Sequence, residues 1–190
     1  MRIIGLAGPS SSGKTSVANE LRQTLDAEVL SLDHFYKEGY PNIYVEKDGE
    51  KIRTYERPEL YDGKKAAEVI NDLKEGDVVV DIWDMDREEY RENVFEKKDY
   101  VIVEGFLLYT YEELRTVIDD MFYLDLDRDT IIERRLKRLD RTSDKTFLEI
   151  GIEEFERFGR EQKFYDEVKV IDAKKEIKEI EKEVLSLLDE

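Results

Sequence analysis

An α/β fold on a mostly parallel central sheet is predicted by three features of the sequence. Apolar runs of strand length alternate with amphipathic stretches of helix length along the chain. Runs such as Tyr100-Val101-Ile102-Val103 are apolar on consecutive residues, as strands buried on both faces require. A glycine-rich loop, Gly8 to Thr15, joins the first apolar run to the first amphipathic stretch with the spacing G-x-x-x-x-G-K-T.

The elements follow in order. Ile3-Ile4-Gly5-Leu6-Ala7 carries a first strand over 2–7, and a helix over 14–25 places Val17, Ala18, Leu21 and Leu25 on one face. Further strands are predicted over 28–32, 78–83, 100–104, 121–126 and 167–171, and helices over 62–75, 111–119, 128–141, 147–163 and 173–188. Thr110 with Glu113, and Thr146 with Glu149, read as capping boxes, and Asp172 is placed to cap the last helix. Gly76 after Glu75 marks a helix stop. Ile177, Ile180, Val184 and Leu187 give the last helix an apolar stripe. Residues 42–55 break the alternation. Asp48-Gly49 there predicts a two-residue hairpin in which Val45 faces Ile52 and Tyr44 faces Arg53. Ligands bind beyond the carboxyl ends of the strands in open α/β sheets, so this hairpin is placed either to cover a substrate or as surface decoration.

Composition narrows the function. The chain has 190 residues, expected to form one domain, and 40% of them are hydrophobic, enough for one core. The charged fraction is 42%, against about 25% in ordinary domains. Gln and Asn are scarce, a Lys/Glu-rich composition of the kind found in hyperthermophile proteins. There is no Cys, which excludes disulfides, thiolate chemistry and Cys-type zinc sites. No membrane span or signal peptide is evident, and a soluble, cytoplasmic protein is expected. A net charge of −17 argues against nucleic-acid and membrane partners, so a nucleotide triphosphate must be captured by local positive features.

The loop is such a feature. Gly8 and Gly13 let the backbone curl with its N–H groups inward, and the following helix adds the positive end of its dipole. Gly8, Ser10, Ser11, Ser12, Gly13, Lys14, Thr15 and Ser16 are therefore the candidate ATP contacts, with Lys14 on the β/γ-phosphates and the Thr15 hydroxyl on Mg²⁺. Asp33 ends the apolar run Val29-Leu30-Ser31-Leu32 at the same sheet edge, where its carboxylate is suited to accept a hydroxyl proton or to hold a magnesium-bound water. Glu104 ends the most hydrophobic strand and is the second candidate Mg²⁺ ligand. Residues 128–141 hold six basic and three acidic side chains, with Arg134, Arg138 and Arg141 opposite the core stripe and Arg135 on its flank. That pattern fits a lid closing over phosphates, and equally an exposed solvated face. Trp83-Asp84 at a strand end is suited to stacking on a ring or to the core. His34, the single His, makes no metal cluster and reads as a turn or surface residue.

Together these residues resemble the uridine kinase and nicotinamide riboside kinase branch of the phosphate-loop kinases, within the phosphoribulokinase/uridine kinase family. The likeness rests on Gly8–Thr15, on Leu30-Ser31-Leu32-Asp33-His34-Phe35-Tyr36-Lys37, on Val101-Ile102-Val103-Glu104-Gly105-Phe106-Leu107-Leu108-Tyr109 and on Arg134-Arg135-Leu136-Lys137-Arg138, with a looser match at Phe158-Gly159-Arg160-Glu161-Gln162. It implies a three-layer phosphate-loop NTPase sandwich, with a hairpin insertion near 42–55 and an Arg-rich lid near 128–146. It also implies ATP- and Mg²⁺-dependent phosphoryl transfer to a hydroxyl of a small nucleoside-like acceptor. In that resemblance Asp33 is the catalytic carboxylate, Glu104 binds magnesium, and Arg135 and Arg138 are the lid's phosphate contacts; the helix pattern adds Arg141 to the expected lid cations. The family carries an Asp after the hairpin that grips ribose hydroxyls. Here Tyr55-Glu56 stands at that place, so Tyr55, Glu56 and Trp83 are the candidate acceptor contacts. Uridine kinases carry a pyrimidine-reading His beyond the aromatic-Asp pair, whereas position 88 is Glu. Two rivals stand beside this reading. One is a kinase for another metabolite, such as pantothenate or a sugar phosphate. The other is a nucleotide-dependent switch, although the Asn-Lys-x-Asp guanine motif of GTPases is missing.

Overall fold

The structure, a computed structural model, describes residues 1–37, 43–84, 87, 89–138 and 145–188. Five parallel strands form the central sheet: β1 (Arg2–Ala7), β2 (Glu28–Ser31), β7 (Tyr100–Gly105), β8 (Asp120–Asp125) and β9 (Val168–Asp172), in the order β2-β7-β1-β8-β9. The expected burial on both faces is met residue by residue. Ile3, Val101, Val103, Met121 and Tyr123 enter the core on one side, and Ile4, Leu6, Ile102, Phe122 and Leu124 enter the core on the other. One face is covered by α1 (Lys14–Leu25) and α6 (Ile177–Leu188), through Val17, Ala18 and Leu21 and through Ile180, Val184 and Leu188. The other is covered by α2 (Gly63–Leu73) and α3 (Glu112–Val117), through Ala66, Val69, Ile70, Leu73 and Leu114. Burying each such Leu or Ile stabilises the layer by about 1.5–3 kcal/mol, which fixes the sheet as the rigid frame. No helix among the described residues is long and apolar enough to cross a membrane.

Two antiparallel ribbons stand outside this sheet. The hairpin β3 (Tyr44–Lys47) and β4 (Glu50–Arg53) has the expected register, Tyr44 opposite Arg53 and Val45 opposite Ile52. Its turn residues Asp48 and Gly49 both have positive φ, 54° and 82°, which is why Asp-Gly suits it. The second ribbon pairs β5 (Val78–Asp84) with β6 (Glu89–Phe95). The predicted strand at 78–83 thus exists but does not join the central sheet. Its partner Glu-Tyr-Arg-Glu-Asn-Val-Phe escapes a sequence reading because most of its residues are polar and exposed.

Local corrections concern the helix ends. The Thr110–Glu113 box does not form: Thr110 Oγ1 donates to the Leu107 carbonyl, and Tyr111 is the residue flanking α3. Helix α5 is described over Lys145–Phe158, and the residues before it, which decide the Thr146–Glu149 box, lie outside the described residues. Asp172 accepts from the Lys174 N–H in a turn, and α6 starts later, where Glu179 reaches back to the Glu176 N–H at 3.1 Å. The helix predicted over 147–163 ends at Phe158, and Arg160–Phe164 forms a separate 3₁₀ turn. Of the predicted lid helix, α4 covers Arg128–Arg138.

Candidate active site

The loop between β1 and α1 wraps a cleft of about 440 Å³ at the carboxyl edge of the sheet. Its curl depends on residues with positive φ: Gly8 at 141°, Ser11 at 68° and Gly13 at 95°. At Gly8 a Cβ would lie 2.5 Å from the Leu124 carbonyl oxygen of β8, so only glycine brings the loop this close to the sheet. Lys14 is buried, and its ammonium donates to the Pro9 carbonyl of its own loop at 2.9 Å. Burial pulls the Lys14 pKa down, while Glu104, Asp33 and Glu56 pull it back up. The hydroxyls of Ser11 and Ser12 are buried with no hydrogen-bond partner among the described residues. A loop of inward polar groups under strain, with orphaned hydroxyls, is organised for a ligand rich in acceptor oxygens.

The opposite wall comes from β2 and β7. Glu104, in register with Leu6 of β1 and Ser31 of β2, is buried at the end of β7. Its Oε1 receives the Thr15 hydroxyl at 3.5 Å. Asp33 sits on the 3₁₀ turn Leu32–Phe35 directly after β2, started by the Asp33 N–H donating to Ser31 Oγ at 3.3 Å. That turn packs tightly on β7, because a Cβ at Gly105 would lie 2.6 Å from the Leu32 Cβ. Gly105 thereby lets Asp33 share the cleft with Glu104, Lys14, Thr15, Ser10, Ser11 and Ser16. Among the described residues no group of three His, Asp or Glu could hold a metal by itself. One carboxylate and one hydroxyl converging on a phosphate-type cleft fit a hard cation that takes its remaining oxygens from water and phosphates, as Mg²⁺ does.

The arginines divide differently from expectation. Arg134 lines the cleft and donates to the Ser11 carbonyl at 3.4 Å. Arg135 is not among the cleft-lining side chains; it pairs with Glu56 Oε1 at 2.6 Å, with side chains only 14% and 10% exposed, and both charges act on Lys14. The pair packs against Gly151 of α5, and Glu56 Oε2 is buried without a partner among the described residues. Burial raises the Glu56 pKa, opposed by Arg135 and Lys14. Arg138 closes α4, but its side chain, like all of Arg141, lies outside the described residues.

The remaining predicted acceptor contacts stand beside the cleft rather than in it. Tyr55 lies under the Arg53 guanidinium at 5.1 Å, and its carbonyl accepts from the Tyr61 hydroxyl at 3.2 Å. Trp83 meets Tyr90 edge-on at 5.1 Å and packs on the core, and Asp84 is paired with Arg91 at 3.0 Å. Glu88 lies outside the described residues. His34 lies on the same 3₁₀ turn as Asp33, the first of its two expected places; it is half-buried, with its ring near Phe95, and burial lowers its pKa. Helix α5 gathers this side together. Its Glu149 and Glu153 hold Lys47 of the hairpin at 3.2 and 3.0 Å, its Glu154 pairs with Arg57, and Phe158 lies under the Arg57 guanidinium.

Sequence reasoning misses Arg134 as the cleft arginine, although its place opposite the core stripe pointed there, and it misses Phe106, which also lines the cleft.

Comparison with known proteins agrees with this geometry. Residues 3–175 match the model of the Phosphoribulokinase / Uridine kinase family. A uridine kinase of Staphylococcus haemolyticus (strain JCSC1435) is 37% identical over 144 residues, covering 72% of this chain and 67% of that protein. A uridine kinase of Staphylococcus aureus (strain JH9) is 35% identical over 143 residues, with the same coverage of 72% and 67%. Among solved structures, a possible uridine kinase from Bacillus stearothermophilus superposes with a TM-score of 0.59 at 21% identity, over 88% of this chain and 87% of that one. Shikimate kinase from Aquifex aeolicus superposes with a TM-score of 0.51 at 22% identity, over 98% and 96% of the two chains. These two structural likenesses concern the fold alone.

Proposed function

Since the chain belongs to the phosphoribulokinase/uridine kinase family and is a small-molecule kinase, we propose that it transfers the γ-phosphoryl group of ATP, with Mg²⁺, to a hydroxyl of an unphosphorylated nucleoside-like metabolite of the uridine, cytidine or nicotinamide riboside type. The observation that carries this reading is the meeting of Lys14, Thr15, Asp33 and Glu104 in one cleft, brought there by the ends of three neighbouring strands.

In this reading Gly8, Ser10, Ser11, Ser12, Gly13 and Ser16 surround the polyphosphate. Lys14 exchanges its Pro9 carbonyl for phosphate oxygens. Thr15 and Glu104 hold Mg²⁺, which neutralises charge on the phosphate oxygens when bound. Asp33 orients the acceptor hydroxyl and takes its proton as the new O–P bond forms and the bond to the departing ADP breaks. Arg134 is the lid cation nearest the phosphates, with Arg138 and Arg141 completing the lid. Glu56 accepts from, and Arg135 donates to, the vicinal hydroxyls of the acceptor, for which Tyr55 and Trp83 form the flanking wall.

The charge pattern favours an acceptor without a phosphate group. Arg135, Arg57, Arg91 and Lys47 are each already matched by a carboxylate, so this wall is close to neutral. A sugar phosphate needs spare cations to replace its hydration.

The test is an ADP-release screen across nucleosides, nicotinamide riboside, pantothenate and a sugar phosphate. A nucleoside or nicotinamide riboside is expected to stimulate turnover. Lys14→Ala is expected to abolish it, and Asp33→Asn to lower kcat by about 10²–10⁴ with ATP affinity little changed. Near-normal kcat in Asp33→Asn, or stimulation by the sugar phosphate alone, would refute the assignment.

A further inference from the structure

Gln162 lies on the 3₁₀ turn after α5 and is only 1% exposed. Every hydrogen of its amide is used. Its Oε1 accepts the Tyr109 N–H at 2.6 Å, and its Nε2 donates to the carbonyls of Phe106 at 2.8 Å and Gly159 at 2.7 Å. These partners belong to different halves of the site. Phe106 and Tyr109 form the turn that leaves β7 immediately after Glu104 and Gly105, and Phe106 lines the phosphate cleft. The Tyr109 hydroxyl bonds both the N–H and the carbonyl of Phe122 in β8, which anchors that turn to the central sheet. Gly159 ends α5, the helix that supports the Glu56 and Arg135 pair through Gly151 and holds Arg57 through Glu154.

From this geometry we infer that Gln162 is a positioning residue: it bolts the acceptor-side helix α5 to the floor of the phosphate cleft, so that acceptor hydroxyl and donor phosphates meet in register. It acts through the Phe106 and Gly159 carbonyls and touches neither substrate. The inference rests on the acceptor-side placement of Glu56 and Arg135 proposed above. Without the amide, the buried Gly159 carbonyl and Tyr109 N–H and the part-buried Phe106 carbonyl lose their partners and the two halves can shift relative to one another. A displacement of about 1 Å between reacting groups costs on the order of a hundredfold in rate.

The test uses Gln162→Met, which keeps the volume without the donors, and Gln162→Asn, which keeps the groups but is too short to bridge. Kinetics with ATP and the best acceptor are read well below each variant's melting temperature, beside amide hydrogen exchange of the same proteins. Both variants are expected to lose about tenfold to a hundredfold in kcat and to raise the acceptor KM, with the ATP KM unchanged within about twofold. Exchange protection should fall at Tyr109 and along α5 through Gly151 and Glu154. A purely structural amide would lower the melting temperature without that split. Normal kcat in Gln162→Met, a parallel rise in both KM values, or exchange confined to 106–109 would overturn the inference. If the wild type phosphorylates no acceptor in the screen, the proposed function fails, and the spread or confinement of exchange still decides the bolt.

Discussion

The Glu56 and Arg135 pair offers the sharpest energetic test, because its two charges respond differently to isolation. Glu56→Ala leaves the Arg135 guanidinium largely buried, 14% exposed, and a guanidinium has no way to discharge itself. Removing one partner of a buried pair costs about 3–5 kcal/mol. For a chain of this size each kcal/mol moves the melting temperature by about 2–4 °C, so a fall of roughly 6–20 °C is expected. Arg135→Met should cost less, since the stranded Glu56 can take up a proton. Burial already raises its pKa, and Arg135 and Lys14 are what hold it down. A carboxyl whose folded pKa lies above its unfolded value, about 4.3, favours folding below that value and loses this as pH rises through the folded pKa. Arg135→Met moves the folded pKa further up, so its deficit should grow between about pH 5 and about pH 8. The Glu56→Ala, Arg135→Met double variant should recover much of the loss. Thermal melts by circular dichroism at both pH values would decide the matter. A deficit of Arg135→Met at the lower pH as large as that of Glu56→Ala, or a double variant equal to the sum of the singles, would refute the reasoning.

Three further outcomes are expected. Gly8→Ala should destabilise the fold by about 1–3 kcal/mol from backbone strain alone, and should weaken nucleotide binding further because the loop must retreat from Leu124; calorimetry with ATP and magnesium showing wild-type affinity would contradict this. Arg134→Ala should raise the ATP KM or lower kcat by about tenfold or more while Lys137→Ala, on an exposed side chain paired within its own helix, leaves both unchanged; equal effects would remove Arg134 from the site. The melting temperature should lie above the ordinary mesophile range of about 45–65 °C, in keeping with ion pairs such as Lys178 with Glu20 and Glu181; a value inside that range would end the thermophile reading.

Much of this architecture is written locally. The glycines and lysine of the loop sit within eight residues, and the turn chemistry of Asp48-Gly49 specified the hairpin register down to the facing pairs. Asp33 and Glu104 were legible because each ends an apolar run, and strand ends in a parallel sheet share an edge. What escaped depends on contacts distant along the chain. Glu89–Phe95 becomes a strand because β5 offers it a ladder, not because its own pattern alternates. Arg135 is paired with Glu56, 79 residues away, in a buried site that no local pattern announces. Gln162 is an unremarkable polar residue until the fold sets the Phe106, Tyr109 and Gly159 backbones around it.

Among the described residues the two ribbons share no rung with the five-stranded sheet. In the proposed reading most of what handles phosphate hangs from the sheet and the first helix, with Arg134 added by α4, while much of what would recognise the acceptor hangs from the ribbons and from α5. On that reading, exchanging 43–57 and 78–95 between relatives is the natural way to move acceptor preference from one to another.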